Sequence, residues 1–239
     1  MCFFKQLRFK KNKYTPRPDC FTLFPKGSFN AHASQPGNKK MSNAKQRGLQ
    51  ALMAAACLAL SLMRPALAAE AGGIKFDDVS QVGDKELKLN GLGVRTKAFF
   101  KIYAIALYLP EKKTAVADIL SLPGPRRIVI TMLRDLSSED FGQAFMNGLH
   151  NNLDTGERTK ILSQTMAFGG MFSLIPSLKK GDVMTVDWVP TVGTVSYLNG
   201  KKLSDPVPEL GFYNAILKIW IGDKPADNSL KPKLLGGGA

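Results

Sequence analysis

The stretch NGLGVRTKAFFKIYAIALYLP, Asn90–Pro110, decides the fold. It reads as two β-strands joined by a tight turn. After Lys101 the second strand is apolar on both faces, as in a strand covered on both sides. One cation, Arg95, and one phenol, Tyr103, sit inside this greasy hairpin. Upstream, KELKLNGLGVR alternates, with Leu87 and Leu89 on one side and Glu86 and Lys88 on the other. Gly91 and Gly93 interrupt that alternation, which predicts a bulge or a close backbone approach.

Working outward, a short first strand is expected around Ile74, Phe76 and Val79, followed by a turn at Gly83–Asp84. Downstream, TAVADIL is a short helix ended by Pro123–Pro125, and RRIVITML is a strand. Ser137 opens a helix in a capping-box-like start, with Asp140 in place of Glu or Gln. Phe141, Phe145 and Leu149 recur on one face of that helix. GERTKILSQTMAFGGMFSLI predicts another helix, stopped near Gly169–Gly170. DVMTVDWVP and TVSYLNG are strands, and Asn199–Gly200 is a hairpin-turn signal. PELGFYNAILKIWIG is the last amphipathic helix, ended by Gly222, and the tail beyond it has little pattern. Hairpins connect most strands. That order predicts an α+β fold, a mostly antiparallel sheet with helices packed on one face.

The charge is unevenly spread. Residues 1–69 hold twelve of the 33 Lys and Arg but one of the 19 acids, Asp19. The rest is close to balanced and has no phosphate-tracking stripe, so nucleic acid is not an expected partner. Residues 41–69 show a basic start (Lys45, Arg47), an uncharged apolar run from Leu49 to Met63, and the small residues ALAA at Ala66–Ala69. That is the pattern of a signal peptide cleaved near Ala68–Ala69, implying a periplasmic or secreted domain over 70–239. The run spans about 22 Å as a helix, short of a ~30 Å hydrocarbon core, so no stable membrane span is expected after cleavage. Residues 1–40 read as a mis-translated or disordered extension, with Met41 as the start. Cys2, Cys20 and Cys57 all precede the cleavage, so the domain has no disulfide to rely on.

Much chemistry is missing. His150, in GLHNNL near a helix C-terminus, is the domain's one histidine and is expected to be solvated. No zinc, calcium or phosphate-loop spacing occurs, so neither a metal nor a cofactor is expected. EKK, RR and KK read as solvated turns.

What remains is the polar pair. An unpaired buried cation costs several kcal/mol, and no acid lies near Arg95 in sequence. A ligand carboxylate or phenolate would match its fork of donors, and a tyrosine hydroxyl would add one more. With a two-residue turn at Lys97–Ala98, Arg95 and Tyr103 fall on opposite faces. A three-residue loop or a bulge brings them to one face.

The hairpin closely resembles the chalcone isomerase family motif, in its G-x-G-x-R and in FFKIYAIALYL. The likeness continues through SSEDFGQAFMNGL and LNGKKLSDPVPELGFYNAILKIWIGDKPADNSLKPKLL. It implies an open-faced sandwich, a large antiparallel sheet under a layer of helices with a hydrophobic cleft between. In the family's isomerases the arginine polarises substrate, a Thr and a Tyr order water, and an Asn contacts substrate. Here Arg95 keeps its place, but Tyr103 stands for the Thr, Phe141 for the Tyr, and Gly148, or Asn147 one residue away, for the Asn. Loss of those hydroxyls implies that no catalytic residue set is complete. The fatty-acid-binding members use Arg plus Tyr at the hairpin positions. The resemblance therefore implies a binder of a hydrophobic acid, with Arg95, Tyr103, Phe141 and Asn147 at the ligand and Phe145 and Met166 in the apolar wall. The alternatives are an intramolecular lyase of the isomerase type and a structural or interaction protein of the envelope.

Overall fold

A computed structural model describes residues 68–237; the signal-peptide and leader readings for residues 1–67 lie outside them. The hairpin read first belongs to a seven-stranded, wholly antiparallel sheet. In chain order its strands are β3 (Val79–Val82), β4 (Lys85–Lys97), β5 (Phe100–Leu109), β6 (Arg126–Met132), β9 (Val183–Val189), β10 (Gly193–Leu198) and β11 (Lys201–Lys202). In space the order is β11-β10-β9-β6-β5-β4-β3. Two ribbons accompany it, β1 (Ala69–Ala71) with β2 (Ile74–Phe76), and β7 (Leu136–Ser137) with β8 (Ser177–Leu178). The expected first strand is thus split: Ile74 and Phe76 belong to a separate ribbon, and Val79 to the sheet edge.

β5 is buried on both faces, as its composition requires. Ile105, Leu107 and Leu109 face the helices, together with Ile128, Ile130, Met184 and Val186 of the neighbouring strands. Ala104, Ala106 and Tyr108 face a second apolar cluster with Ala71, Phe76, Leu87 and Leu89. The alanines keep that face low, so the β1–β2 ribbon can lie on it. Each large side chain buried in this way contributes about 1.5–3 kcal/mol.

The helices are α1 (Val116–Ser121), α2 (Ser138–Asn152), α3 (Thr155–Lys160), α4 (Leu162–Gly170), α5 (Leu210–Ile221) and α6 (Leu230–Leu234). Ser137 caps α2 as expected, its side chain accepting from Asp140 N at 3.0 Å. The helix predicted from Gly156 does stop at Gly170 as expected, but it is two helices rather than one. α3 starts in a full capping box between Asp154 and Glu157. The chain leaves helical geometry at the buried Ile161, and α4 runs on into a 3-10 turn, Met171–Leu174. The tail also departs from expectation: α6 buries Leu230 and Leu234 completely against β4. Gly91 and Gly93 make that possible. A Cβ on Gly91 would run into the Lys233 carbonyl, and one on Gly93 would lie 2.6 Å from Leu230 Cδ1. Asn90 locks the junction, its amide donating to Leu234 O (2.8 Å) and accepting from Lys113 N (2.7 Å).

The double arginine is not a solvated turn. Arg126 is fully buried, donating from Nη1 to Ile119 O (3.0 Å) and Asn214 Oδ1 (2.9 Å), and from Nη2 to Leu122 O (2.6 Å). Arg127 forms a two-pronged bond to Asp187, at 2.7 and 2.6 Å. Both sit at one end of β6, which is central to the sheet, so Arg126 is fully buried and Arg127 half-buried rather than solvated. Among the described residues, no helix is long and apolar enough to cross a membrane.

Candidate functional site

The question of parity is settled by two details of the β4–β5 hairpin. The turn residues are Ala98 and Phe99, one later than predicted, since Lys97 pairs with Phe100. Simple antiparallel counting would then set Arg95 opposite Ile102. Instead Ile102 is an extra residue on β5, and Arg95 pairs directly with Tyr103. A bulge puts two residues against one and flips the facing of everything beyond it. Its carbonyl is not wasted, because Leu133 N donates to it at 3.0 Å. Arg95 and Tyr103 therefore share the helix-side face of the sheet.

The Arg95 guanidinium carbon lies 5.6 Å from the centre of the Tyr103 ring, within range of a cation–π contact. Its Nε is buried without a hydrogen-bond partner, and among the described residues Arg95 forms no ion pair. Tyr103 is buried, and its oxygen accepts a 2.7 Å bond from Trp220 Nε1 on α5. Because the indole N–H can only donate, the phenol keeps its own hydrogen for another acceptor. Burial pushes the Tyr103 phenol above its ordinary range, against the pull of the Arg95 charge and the Trp220 bond. It is a donor at any neutral pH.

An acid that sequence proximity did not reveal does lie close by. Asp227, in the segment before α6, is near enough to raise the Tyr103 phenol. Its oxygens are occupied by the N–H of Thr96 (3.0 Å), the N–H of Ser229 (2.8 Å) and the Ser229 hydroxyl (2.7 Å). Partial burial works against its charge, but those backbone bonds prevail and hold the carboxyl below the usual range. It anchors the β4 end to α6 rather than neutralising Arg95.

Arg95 and Tyr103 lie at the wall of a cavity between sheet and helices. The rest of the lining is almost wholly apolar: Ile130, Met184 and Val186 from the sheet, Phe141 and Phe145 from α2, and Ile216, Ile219 and Trp220 from α5. Phe168 and Phe172 close it from α4 and the 3-10 turn. The rings form a continuous cluster. Phe141 meets Tyr103 edge-on at 6.4 Å and Phe172 at 5.6 Å, and Phe145 stacks on Phe168 at 5.0 Å. The cavity volume is about 40 Å³, and about 530 Å³ when all the space out to its open mouth is counted.

Phe141 and Phe145 are thus where the sequence placed them. Asn147 is not: it lies on the exposed face of α2, bonded to Gln143 at 3.0 Å, because a residue two along from Phe145 points away from the cleft. The neighbouring Gly148 faces α5, where a Cβ would sit 2.7 Å from Ile219. Met166 is likewise no part of the wall, being 70% exposed on the outer side of α4. His150 is exposed at the end of α2, as expected. Trp220, Phe168 and Phe172 escaped the sequence reading. Trp220 carried a signal in retrospect, since it follows Ile216 by one helical turn on the buried face of α5.

Among the described residues, Arg95 and Tyr103 are the only ionisable groups in the lining. They can neutralise an anion and donate hydrogen bonds to it. The lining supplies no carboxylate or imidazole to take a proton. Among the described residues, no three His, Cys, Asp or Glu gather closely enough to hold a metal ion.

The same architecture occurs in a solved structure, the Arabidopsis thaliana fatty-acid binding protein, with a TM-score of 0.55 at 15% identity, over 69% of this chain and 92% of that one. No curated protein matches the chain. The family model described as "Chalcone isomerase-like" matches residues 68–236, most of the sequence. A glycine-framed arginine on a bulged hairpin, beneath helices that enclose an apolar cleft, is how this chain carries that pattern, and it belongs to the chalcone isomerase-like family.

Proposed function

We propose that this protein is a non-catalytic binder of a hydrophobic carboxylate such as a fatty acid, exported to the periplasm or beyond. One observation carries the reading. The Arg95 guanidinium stands at an apolar cavity with no ion-pair partner among the described residues, beside a Tyr103 hydroxyl with its hydrogen free. A carboxylate seated there would take charge-assisted bonds from Arg95 and one from Tyr103, while its chain lies among the phenylalanines. The solved protein of like fold is itself described as fatty-acid binding, which supports the same choice of ligand. Ring-closing isomerisation fits less well. Phe141 offers no hydroxyl at the cavity, so the Tyr103 phenol is the one hydroxyl in the lining that could order a water beside the arginine. Export rests on the leader pattern of residues 41–69.

The test is calorimetric titration of the protein with laurate, beside Arg95→Ala. Loss of the charged bonds should weaken binding by about ten- to a hundredfold. Equal affinity in both proteins would remove the anion site. N-terminal sequencing of the exported form should start at Ala69 or Glu70, and a start at Met41 would end the reading of a cleaved leader.

A further inference from the structure

The enclosed cavity beside Arg95 is too small for the ligand just proposed. Its 40 Å³ has room for about three waters at ~10–15 Å³ each, whereas small-molecule sites commonly run to ~300–1,000 Å³. A second pocket lies by the N-terminal half of α2, with a volume of about 420 Å³. Its lining includes Ser138, Gly142, Gln143, Met146 and Ile175. One residue lines both spaces, Phe172.

Phe172 rides on a four-residue 3-10 turn directly after Gly169–Gly170, where an added Cβ would touch nothing. Three rings lie against its own, Phe141 at 5.6 Å, Phe145 at 5.7 Å and Phe168 at 5.9 Å. Such edge contacts are worth about a kcal/mol each and can be exchanged for contacts with a bound chain. On the other side it rests against Gly142 of α2, whose missing Cβ leaves the space: one built there would lie 3.3 Å from Phe172 Cδ2. The contacts Arg95–Tyr103, Tyr103–Phe141 and Phe141–Phe172 run in series from the cation to this ring.

We infer that Phe172 is a movable partition, and that the tail of a long-chain acid anchored at Arg95 passes it into the pocket by α2. The inference rests on the hydrophobic-acid reading of the cleft, and it makes Phe172 the residue that sets the accepted chain length. Short acids end before the ring and are indifferent to it. Long acids must displace it, so their affinity contains the cost of moving it.

The test measures affinity for octanoate, laurate and palmitate, and for the 1-alkanols of the same lengths. The proteins are the wild type, Phe172→Leu, Phe172→Trp, Gly142→Ala and Arg95→Ala, each checked for native circular dichroism. Phe172→Leu should strengthen palmitate by about fivefold and leave octanoate within about twofold, since chain-methylene contacts in a pocket are each worth a factor of this order or more. Phe172→Trp and Gly142→Ala, which crowd the passage, should weaken palmitate relative to octanoate by about tenfold or more. A palmitate-to-octanoate ratio unchanged in all three variants would overturn the partition, even with Arg95→Ala still losing affinity for acids. Acids binding no better than alkanols would instead remove the carboxylate reading, and the alkanol series would then judge the partition by itself. A wild type that takes up neither series would overturn both.

Discussion

Arg95 and Arg126 each lie against a tyrosine ring, and they are treated in opposite ways. Arg126 is the more deeply buried, yet its terminal nitrogens meet Ile119 O, Leu122 O and Asn214 Oδ1, and its face lies 5.9 Å from the Tyr213 ring. Arg95 also lies against a tyrosine ring, at 5.6 Å, but forms no ion pair among the described residues. Each keeps a buried Nε without a partner. The difference lies in the rest of the guanidinium. Arg126 is a strut whose charge is absorbed by carbonyls at the end of α1. Arg95 is a charge left over beside a cavity. Burial of an arginine therefore says little about function by itself; what its donors meet says more.

The contrast yields predictions of decreasing size. Arg126→Leu should cost about 3–5 kcal/mol of stability, read by urea unfolding, because three acceptors are stranded in the core. Laurate affinity should hardly change; a stable Arg126→Leu protein would dissolve the distinction between strut and clamp. Arg95→Ala should do the reverse, altering unfolding by no more than about 1 kcal/mol while removing about 1.5–3 kcal/mol of laurate binding. Tyr103→Phe tests the second donor, with an expected loss of about 1 kcal/mol in binding. Trp220→Phe should cost less in binding than Tyr103→Phe, since Trp220 only steadies the phenol oxygen; the larger effect from Trp220→Phe would reassign the donor. Smallest of all is the response to pH. The Tyr103 phenol is raised, so it keeps its proton throughout the range below its ordinary value of ~10. Laurate affinity should stay flat from about pH 7 to about pH 9, and a fall across that interval would show the phenol ionising in the site.

The hairpin, the succession of elements along the chain and the Ser137 cap were legible in the sequence because each rests on local rules. Alternation marks strands, Asn199–Gly200 supplies the positive φ angles of a tight turn, and Ser137 with Asp140 satisfies a free helix N–H. Local rules also marked Arg95 and Tyr103 as a polar pair in an apolar hairpin and Phe141 and Phe145 as one helix face, while their assignment to a ligand came from the family resemblance. The failures involve distance along the chain. The tail lacks period but forms α6, because Leu230 and Leu234 meet a groove prepared by Gly91 and Gly93 more than a hundred residues earlier. Arg126 and Arg127 look like a surface pair until β6 is placed at the middle of the sheet. Asn147 failed for a local reason, a helical phase one residue off.

The amino-acid order alone determined that a greasy antiparallel hairpin would carry one arginine and one tyrosine, under helices whose aromatic faces repeat every turn. It could not determine whether the two would meet. That depended on one extra residue, Ile102, which pairing with β4 extrudes and whose carbonyl Leu133 then satisfies. A register is the outcome of all the contacts across a sheet at once, and one step in it moves a side chain from one face to the other. Tertiary structure therefore decided that Arg95 faces the cavity, that Trp220 reaches Tyr103, and that a single ring, Phe172, stands between the two spaces a ligand could fill.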